Sequence, residues 1–280
     1  MYRFYINCNN WTPTREEWIH ATRCITQTEL ERIDKFMFQR DAKFALAGQL
    51  LIRYLLAQAL KRKSSSFEIR RTEYGRPYIE STEKFDFNLS HHHQLVAIAG
   101  TFDGLVGCDT MEYRVNTPPR EPVEPLTNLL RNEFTKNEYD FILNKTKDEK
   151  IRFRHFYRLW SLKESYVKWL GQGVGFTLSR MNFCIKTDEF DEKNAQQVLS
   201  DTILELDNKS VNDQLRFDEQ IIYLPNNEQQ IITLCSSTKT NCQPFTELNI
   251  DEILKNCTPL NENKPGEEKW WNNFQKKTTK

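Results

Sequence analysis

The 280 residues include 39 basic and 39 acidic side chains, so charge cancels and no global positive field marks the chain for nucleic acid. Hydrophobic residues make up 38% and aromatic residues 12%, enough for one full core or two smaller ones, yet no stretch approaches a membrane span and the N-terminal MYRFYINCNNWTP lacks the apolar run of a signal peptide. The seven cysteines (Cys8, Cys24, Cys108, Cys184, Cys235, Cys242 and Cys257) are odd in number without a C-x-x-C pair, which predicts free thiols in a reducing compartment, the cytosol, over a disulfide frame or a zinc site.

In chain order, Thr28 to Leu60 repeats apolar residues every three or four positions, predicting a helix, or two pieces of one, with Thr28 as its cap. The period then changes to two. Phe67 to Ile69, Phe85 to Leu89, Leu95 to Ala99 and Leu105-Val106 read as strands, with Tyr74-Gly75-Arg76-Pro77 as the turn between the first two. Asn116 to Pro125 holds several prolines and reads as a connector that continues neither strand nor helix. Helical periodicity returns from Thr135 to Leu170, where Gly171 supplies a C-cap. Met181 to Cys184, Gln214 to Leu224 and Ile231 to Leu234 read as strands.

Helices followed by strands thus occur twice, and Gly48 to Leu60 resembles Leu159 to Gly171 in pattern. The expected fold is α+β, a monomeric pseudo-dimer of two similar halves with a site in the cleft between them. The expected boundaries are residues 1–106 for the first half, 107–240 for the second, and 241–280 for a tail that packs back in part and ends in disorder.

Four segments carry groups fit for chemistry. Asp109, in Gly107-Cys108-Asp109, is expected at a strand end, just after Leu105-Val106, where it offers a hard oxygen to magnesium; alone, such an Asp is more often a turn cap. In Trp160-Ser-Leu-Lys163-Glu164-Ser-Tyr-Val-Lys168, helical spacing stacks Trp160, Glu164 and Lys168 on one face with Lys163 beside them, a set able to hold a metal and pyrophosphate oxygens, or simply a solvated ion pair. In Phe85 to His91, alternation packs Phe85, Phe87 and Leu89 on one side, and Asn88, Ser90 and His91 are expected to project toward a cleft as phosphate donors. His91-His92-His93 is not read as a metal site, because consecutive strand residues point to opposite faces. Arg70-Arg71-Thr72-Glu73-Tyr74-Gly75-Arg76 forms a basic turn whose arginines suit phosphate. Gly171-Gln-Gly173-Val-Gly175 follows a helix and not a strand, so it is not a dinucleotide fingerprint.

Together, Gly75-Arg-Pro77, Asn88-Leu-Ser90-His91, Gly107-Cys-Asp109 and the Trp160 to Lys168 motif, in this order and spacing, resemble the 4′-phosphopantetheinyl transferases, most nearly the animal subgroup. The resemblance runs from Trp11 to about Phe183. It implies coenzyme A as co-substrate, Mg²⁺ held by Asp109 and Glu164, and an apo acyl carrier protein whose serine attacks the pyrophosphate. It places the donor on Arg32, Arg71, Thr72, Glu73, Tyr74, Gly75, Arg76, Asn88, Leu89, Ser90, His91, Lys163, Glu164, Ser165, Tyr166, Val167 and Lys168. Catalysis falls to Glu164, Lys168 and Asp109, with Lys163 sharing the neutralisation of charge and Glu164, or a water it orients, as the base. Bacterial relatives carry a second acid where this chain has Met111, and Glu112 points the other way, which leaves the third metal position to water. The rival readings are a non-catalytic module that binds coenzyme A or a carrier protein, and a metal-dependent phosphohydrolase.

Overall fold

The computed structural model describes residues 1–81, 83–113, 122–190, 192–237, 242–260 and 267–279. Strand β1 (Tyr2–Asn7) leads into helices α1 (Arg15–Arg23), α2 (Gln27–Asp34) and α3 (Gln39–Leu60). Thr14 and Thr26 open α1 and α2 with reciprocal caps: each hydroxyl accepts an N–H from Glu17 or Glu29, whose carboxylate returns to the threonine N–H. The cap expected at Thr28 is therefore Thr26, and the expected helix is two, with α3 starting at Gln39. Most of α3 is buried because it packs between its own sheet and the helices α1 and α2.

The hairpin β2 (Ile69–Arg71) and β3 (Pro77–Ile79) follows, then β4 (Asp86–His92) and β5 (Leu95–Thr101). β5 pairs antiparallel with both β1 and β4. The chain continues through β6 (Val106–Tyr113), α4 (Val123–Leu129), α5 (Lys136–Asn144) and α6 (Glu149–Leu170). Of the expected connector, residues 116–121 lie outside the described residues, and Pro125 is a correction: it sits in the first turn of α4, where a missing N–H breaks no helical bond. Asp148 caps α6 at its start, and Gly171, at φ 72°, ends it with a left-handed turn.

Beyond α6 lie β7 (Met181–Cys184), β8 (Val198–Leu199), β9 (Ile203–Leu206), β10 (Lys209–Ser210), β11 (Arg216–Tyr223) and β12 (Gln229–Ser236). A second sheet has the order β6-β12-β11-β8, and a smaller one the order β10-β9-β7. Leu159 and Leu162 of α6 are wholly buried against this half, each contributing roughly 1.5–3 kcal/mol by leaving water.

Side chains of β4 join the two large sheets. Val106 N–H donates to Asp86 Oδ2 and Cys108 N–H to Asn88 Oδ1, both at 2.8 Å, and Glu112 N–H reaches His92 Nδ1 at 2.9 Å. Alternate residues of β4 thus supply to the edge of β6 the acceptors that a neighbouring strand would otherwise provide. The alternation of Asp86, Asn88 and Ser90 serves this seam.

The tail packs on the first half. β13 (Thr246–Glu247) pairs parallel with β1, and α7 (Ile250–Asn256) lies on α3. The last segment is a correction to the expected disorder: α8 (Glu267–Lys276) stacks Phe274 on Trp18, and Thr278 bridges to Phe38. The aromatic side chains outweigh the polar composition that suggested disorder. All seven cysteines are free thiols, and among the described residues no helix is long and apolar enough to cross a membrane.

Candidate active site

Gly107 lets α6 lie directly on β6. A Cβ there would collide with Ser165 O and Trp169 N of the helix backbone. This close approach sets the α6 side chains over the next inward residue of β6, Asp109. Ser161 Oγ donates to Asp109 Oδ2 at 2.9 Å, and Lys168 Nζ donates to Asp109 Oδ1 at 2.6 Å. Lys168 also reaches Ser90 Oγ at 2.8 Å, and Ser90 donates to Asp109 Oδ1 at 3.3 Å. Asp109 is buried, 4% exposed, and compensated from three sides.

Glu164 stands one turn before Lys168 and makes no hydrogen bond or ion pair to the described residues. Burial pushes its carboxyl above the usual range, and the Asp109 charge pushes it further, with Lys168 opposing. Burial alone would pull Lys168 down, but Asp109 holds its ammonium above the ordinary value. A cavity of about 950 Å³ opens beside this group, bounded by Arg71, Asn88 and His91 from the first half and by Trp160, Glu164 and Lys168 from the second. Leu130, Phe176 and Leu178 continue its wall. The cavity therefore has a cationic end, where Arg71 and Lys168 flank the His91 imidazole, and elsewhere its wall mixes Leu130, Phe176 and Leu178 with Asn132, Glu133, Thr177 and Ser179.

Among the described residues no three His, Cys, Asp or Glu side chains gather as a metal cluster. The oxygen-only donor set of Asp109 and Glu164 nevertheless fits a hard divalent cation, which takes one or two carboxylates and completes its shell with phosphate oxygens and water. Burial first, and then the Asp109 charge, raise the Glu164 carboxyl, and a cation placed between the two carboxylates would oppose both effects. Met111, two residues after Asp109 on the same strand face, packs with the apolar cluster of Tyr113, Ile221 and Ile231, while Glu112 turns away to His93.

The chain is 31% identical over 287 residues to the L-aminoadipate-semialdehyde dehydrogenase-phosphopantetheinyl transferase of Mus musculus, spanning 97% of this chain and 90% of that one. Identity, length and coverage are the same for the enzyme of that name from Homo sapiens. A 4′-phosphopantetheinyl transferase of Bacillus subtilis is 30% identical over 166 residues, 59% of this chain and 68% of its own. The family model described as 4′-phosphopantetheinyl transferase, N-terminal, matches residues 9–103, and that of the 4′-phosphopantetheinyl transferase superfamily matches residues 105–235. The chain belongs to the 4′-phosphopantetheinyl transferase superfamily.

Within this transferase, the expected residues divide into those at the cavity and those beneath it. Arg71, Tyr74, Gly75, Asn88, Leu89, His91, Glu164, Val167 and Lys168 line the wall. Arg71 is fixed by donating to Gly75 O at 2.8 Å. Burial, then Lys168 and Arg32, push the His91 imidazole below its ordinary value. Burial, then Arg32, likewise lowers Arg71. Arg32, on the exposed side of α2, thus bears on this end of the cavity without lining it. Thr72 and Glu73 form the hairpin tip, where the Thr72 hydroxyl accepts the Arg76 N–H at 3.2 Å; neither lines the wall. Ser90 lies just under the wall, holding Lys168 and Asp109.

Three of the expected donor residues, Lys163, Ser165 and Tyr166, are buried. Lys163 is 0% exposed, pairs with Glu138 at 2.9 Å, and donates to Leu178 O and Met181 O at 3.0 and 2.8 Å. A step of one residue turns a helical side chain by about 100°, which sends Lys163 into the core while Glu164 faces the cavity. Ser165 and Tyr166 are buried too; Ser165 donates back to Leu162 O at 2.8 Å, and Tyr166 packs in the core of the second half. Arg76 borders the cavity, but its guanidinium is bonded to Asp86 and to backbone carbonyls. Ser161, Leu130, Phe176 and Leu178 were not foreseen. Only knowledge that β6 crosses α6 at Gly107 would have singled out Ser161.

Proposed function

We propose that this protein transfers the 4′-phosphopantetheine arm of coenzyme A to a serine of apo acyl or peptidyl carrier proteins, releasing 3′,5′-ADP. The observation that carries this reading is the convergence of Asp109, Glu164 and Lys168 at the wall of a large cavity, in a member of this superfamily. The cationic end takes the phosphates on Arg71, His91 and Lys168, with Arg32 adding to the field, and the wall that includes Leu130, Phe176 and Leu178 takes the pantetheine arm.

Asp109 and Glu164 would hold Mg²⁺, which neutralises the negative charge of the pyrophosphate when bound. Lys168, held by Asp109 and Ser90, points its ammonium at the cavity wall and offsets charge on the departing 3′,5′-ADP. Glu164, or a water it orients, takes the serine proton as the serine oxygen bonds to phosphorus and the phosphoanhydride bond breaks. Trp160 and Phe176 border the cavity and limit water there, favouring the serine as acceptor.

The architecture agrees with a pseudo-dimer whose site lies in the cleft between halves. β1, β5 and β4 occupy one sheet in the same relative order as β6, β12 and β11 in the other, and a 22-residue helix, α3 or α6, follows the first strand of each set. The two family matches meet between residues 103 and 105, near the proposed boundary of 1–106 and 107–240, with 241–280 as the tail. A cytosolic monomer acting on carrier proteins completes the reading.

The test is release of 3′,5′-ADP from coenzyme A, followed with and without an apo carrier protein in Mg²⁺. Carrier-dependent release supports transfer. Release without carrier would replace it with hydrolysis, and no release despite measured coenzyme A binding with a binding module.

A further inference from the structure

Arg76 stands in the cavity wall but spends its donors on the protein. One terminal nitrogen donates to the carbonyl of Lys168; the other meets Asp86 Oδ2 at 2.7 Å, Val106 O at 2.9 Å and Phe87 O at 3.3 Å. The acceptors belong to α6, β4 and β6, while Arg76 itself lies on the β2–β3 hairpin. Lys168 is in the last turn of α6, where carbonyls have no partner within the helix, so the guanidinium caps that turn from outside. The Asp86 oxygen that receives Arg76 also accepts Val106 N–H at 2.8 Å, tying the clamp to the start of β6.

On the functional reading above, we propose that Arg76 is a positioning residue for the transfer reaction: with Asp86 it clamps the end of α6 to β4 and β6, setting Lys168 against Asp109 and Ser90, and it does not itself hold a donor phosphate. A guanidinium suits this task because its planar fork reaches several carbonyls at once. A lysine at this position offers one point charge and cannot span them. Asp86 does not line the cavity, so any effect of changing it on turnover passes through Arg76 or through the Val106 N–H that it also accepts.

The test compares Arg76→Ala, Arg76→Lys, Asp86→Ala and the double variant R76A/D86A, all as full-length protein below their melting temperatures. Each single variant is expected to lower kcat by about tenfold or more while KM for coenzyme A stays within about threefold. Arg76→Lys does not rescue, and R76A/D86A is no slower than its slower parent, because the two residues act as a unit. Amide exchange at Gly171, whose N–H donates to Val167 O at 3.0 Å, is expected to accelerate in both single variants. Unchanged exchange together with a coenzyme A affinity weakened about tenfold or more in R76A would make Arg76 a phosphate ligand and overturn the proposal. Wild-type kcat in folded variants of lowered melting temperature would reduce the clamp to a structural tie. If the wild-type protein transfers nothing, the functional reading fails by itself, and exchange and coenzyme A binding still decide the clamp.

Discussion

Lys168 Nζ reaches Asp109 Oδ1 at 2.6 Å, joining the last turn of α6 to the middle of β6, with the Ser90 hydroxyl bridging to both from β4. One helix and one strand from each of the two large sheets thus meet in one charged group at the cavity. Glu164 faces the same cavity from one turn earlier, and its energetics differ from those of Asp109.

Asp109 and Glu164 are expected to separate on substitution. Asp109→Asn removes the charge that compensates Lys168 and is predicted to cost about 1–3 kcal/mol of stability and about a hundredfold in transfer rate. Glu164→Gln loses a comparable factor in rate but no stability, since the carboxylate has no hydrogen bond to lose and its repulsion by Asp109 disappears. Single-turnover rates and thermal unfolding of both variants check this. A marked loss of stability in Glu164→Gln would show that its side chain bears on folding.

Lys163 is predicted to matter for folding. With both partners 0% exposed, Lys163→Met leaves Glu138 buried without its cation and is expected to cost about 3 kcal/mol or more. Adding Glu138→Gln should recover part of that loss. Urea unfolding reads both, and unchanged stability in the single variant would contradict the buried-pair account.

Gly107 and Gly75 give a contrast. Gly107→Ala drives a methyl into the α6 backbone, forcing β6 and Asp109 away from Lys168, and is predicted to cost several kcal/mol, about 3 or more, and nearly all activity. Gly75→Ala meets nothing within 4 Å and pays only for its φ of +80°, about 1 kcal/mol. Equal melting temperatures for the two variants would contradict this.

His155 gives a pH dependence. Burial pushes its imidazole from an ordinary 6.5 to about 4, against the opposing hydrogen bond to the Phe141 carbonyl. The folded value lies below the unfolded one, so the neutral ring's contribution is fully present above about pH 6.5 and is lost progressively as pH falls toward about 4. Between pH 7 and pH 5 this amounts to about 2 kcal/mol. His155→Asn should lose that much less over the same interval in denaturant unfolding, and an identical loss in both proteins would remove His155 as the cause.

Much of this was legible in the sequence because it rested on local periodicity. The i, i+4, i+8 spacing of Trp160, Glu164 and Lys168 put those three on the cavity wall, and alternation along β4 put Asp86, Asn88 and Ser90 on one face. What stayed hidden depended on which surfaces meet. Lys163 and Glu164 are adjacent charged residues, and only the packing of α5 and β7 decides that one is core and the other is exposed to the cavity. Arg76 read as a phosphate donor because an arginine in a hairpin is ordinarily free; its acceptors lie on elements distant in the chain. The short strands β8, β9 and β10 have too few residues to establish a period of two.

The most direct measurement is the intact mass of an apo acyl carrier protein after incubation with this protein, coenzyme A and Mg²⁺, beside an EDTA control and a carrier whose modified serine is replaced by alanine. The account predicts a gain of one phosphopantetheine arm that is absent from both controls. An unchanged carrier mass across several carriers, from a folded protein that binds coenzyme A, would contradict it.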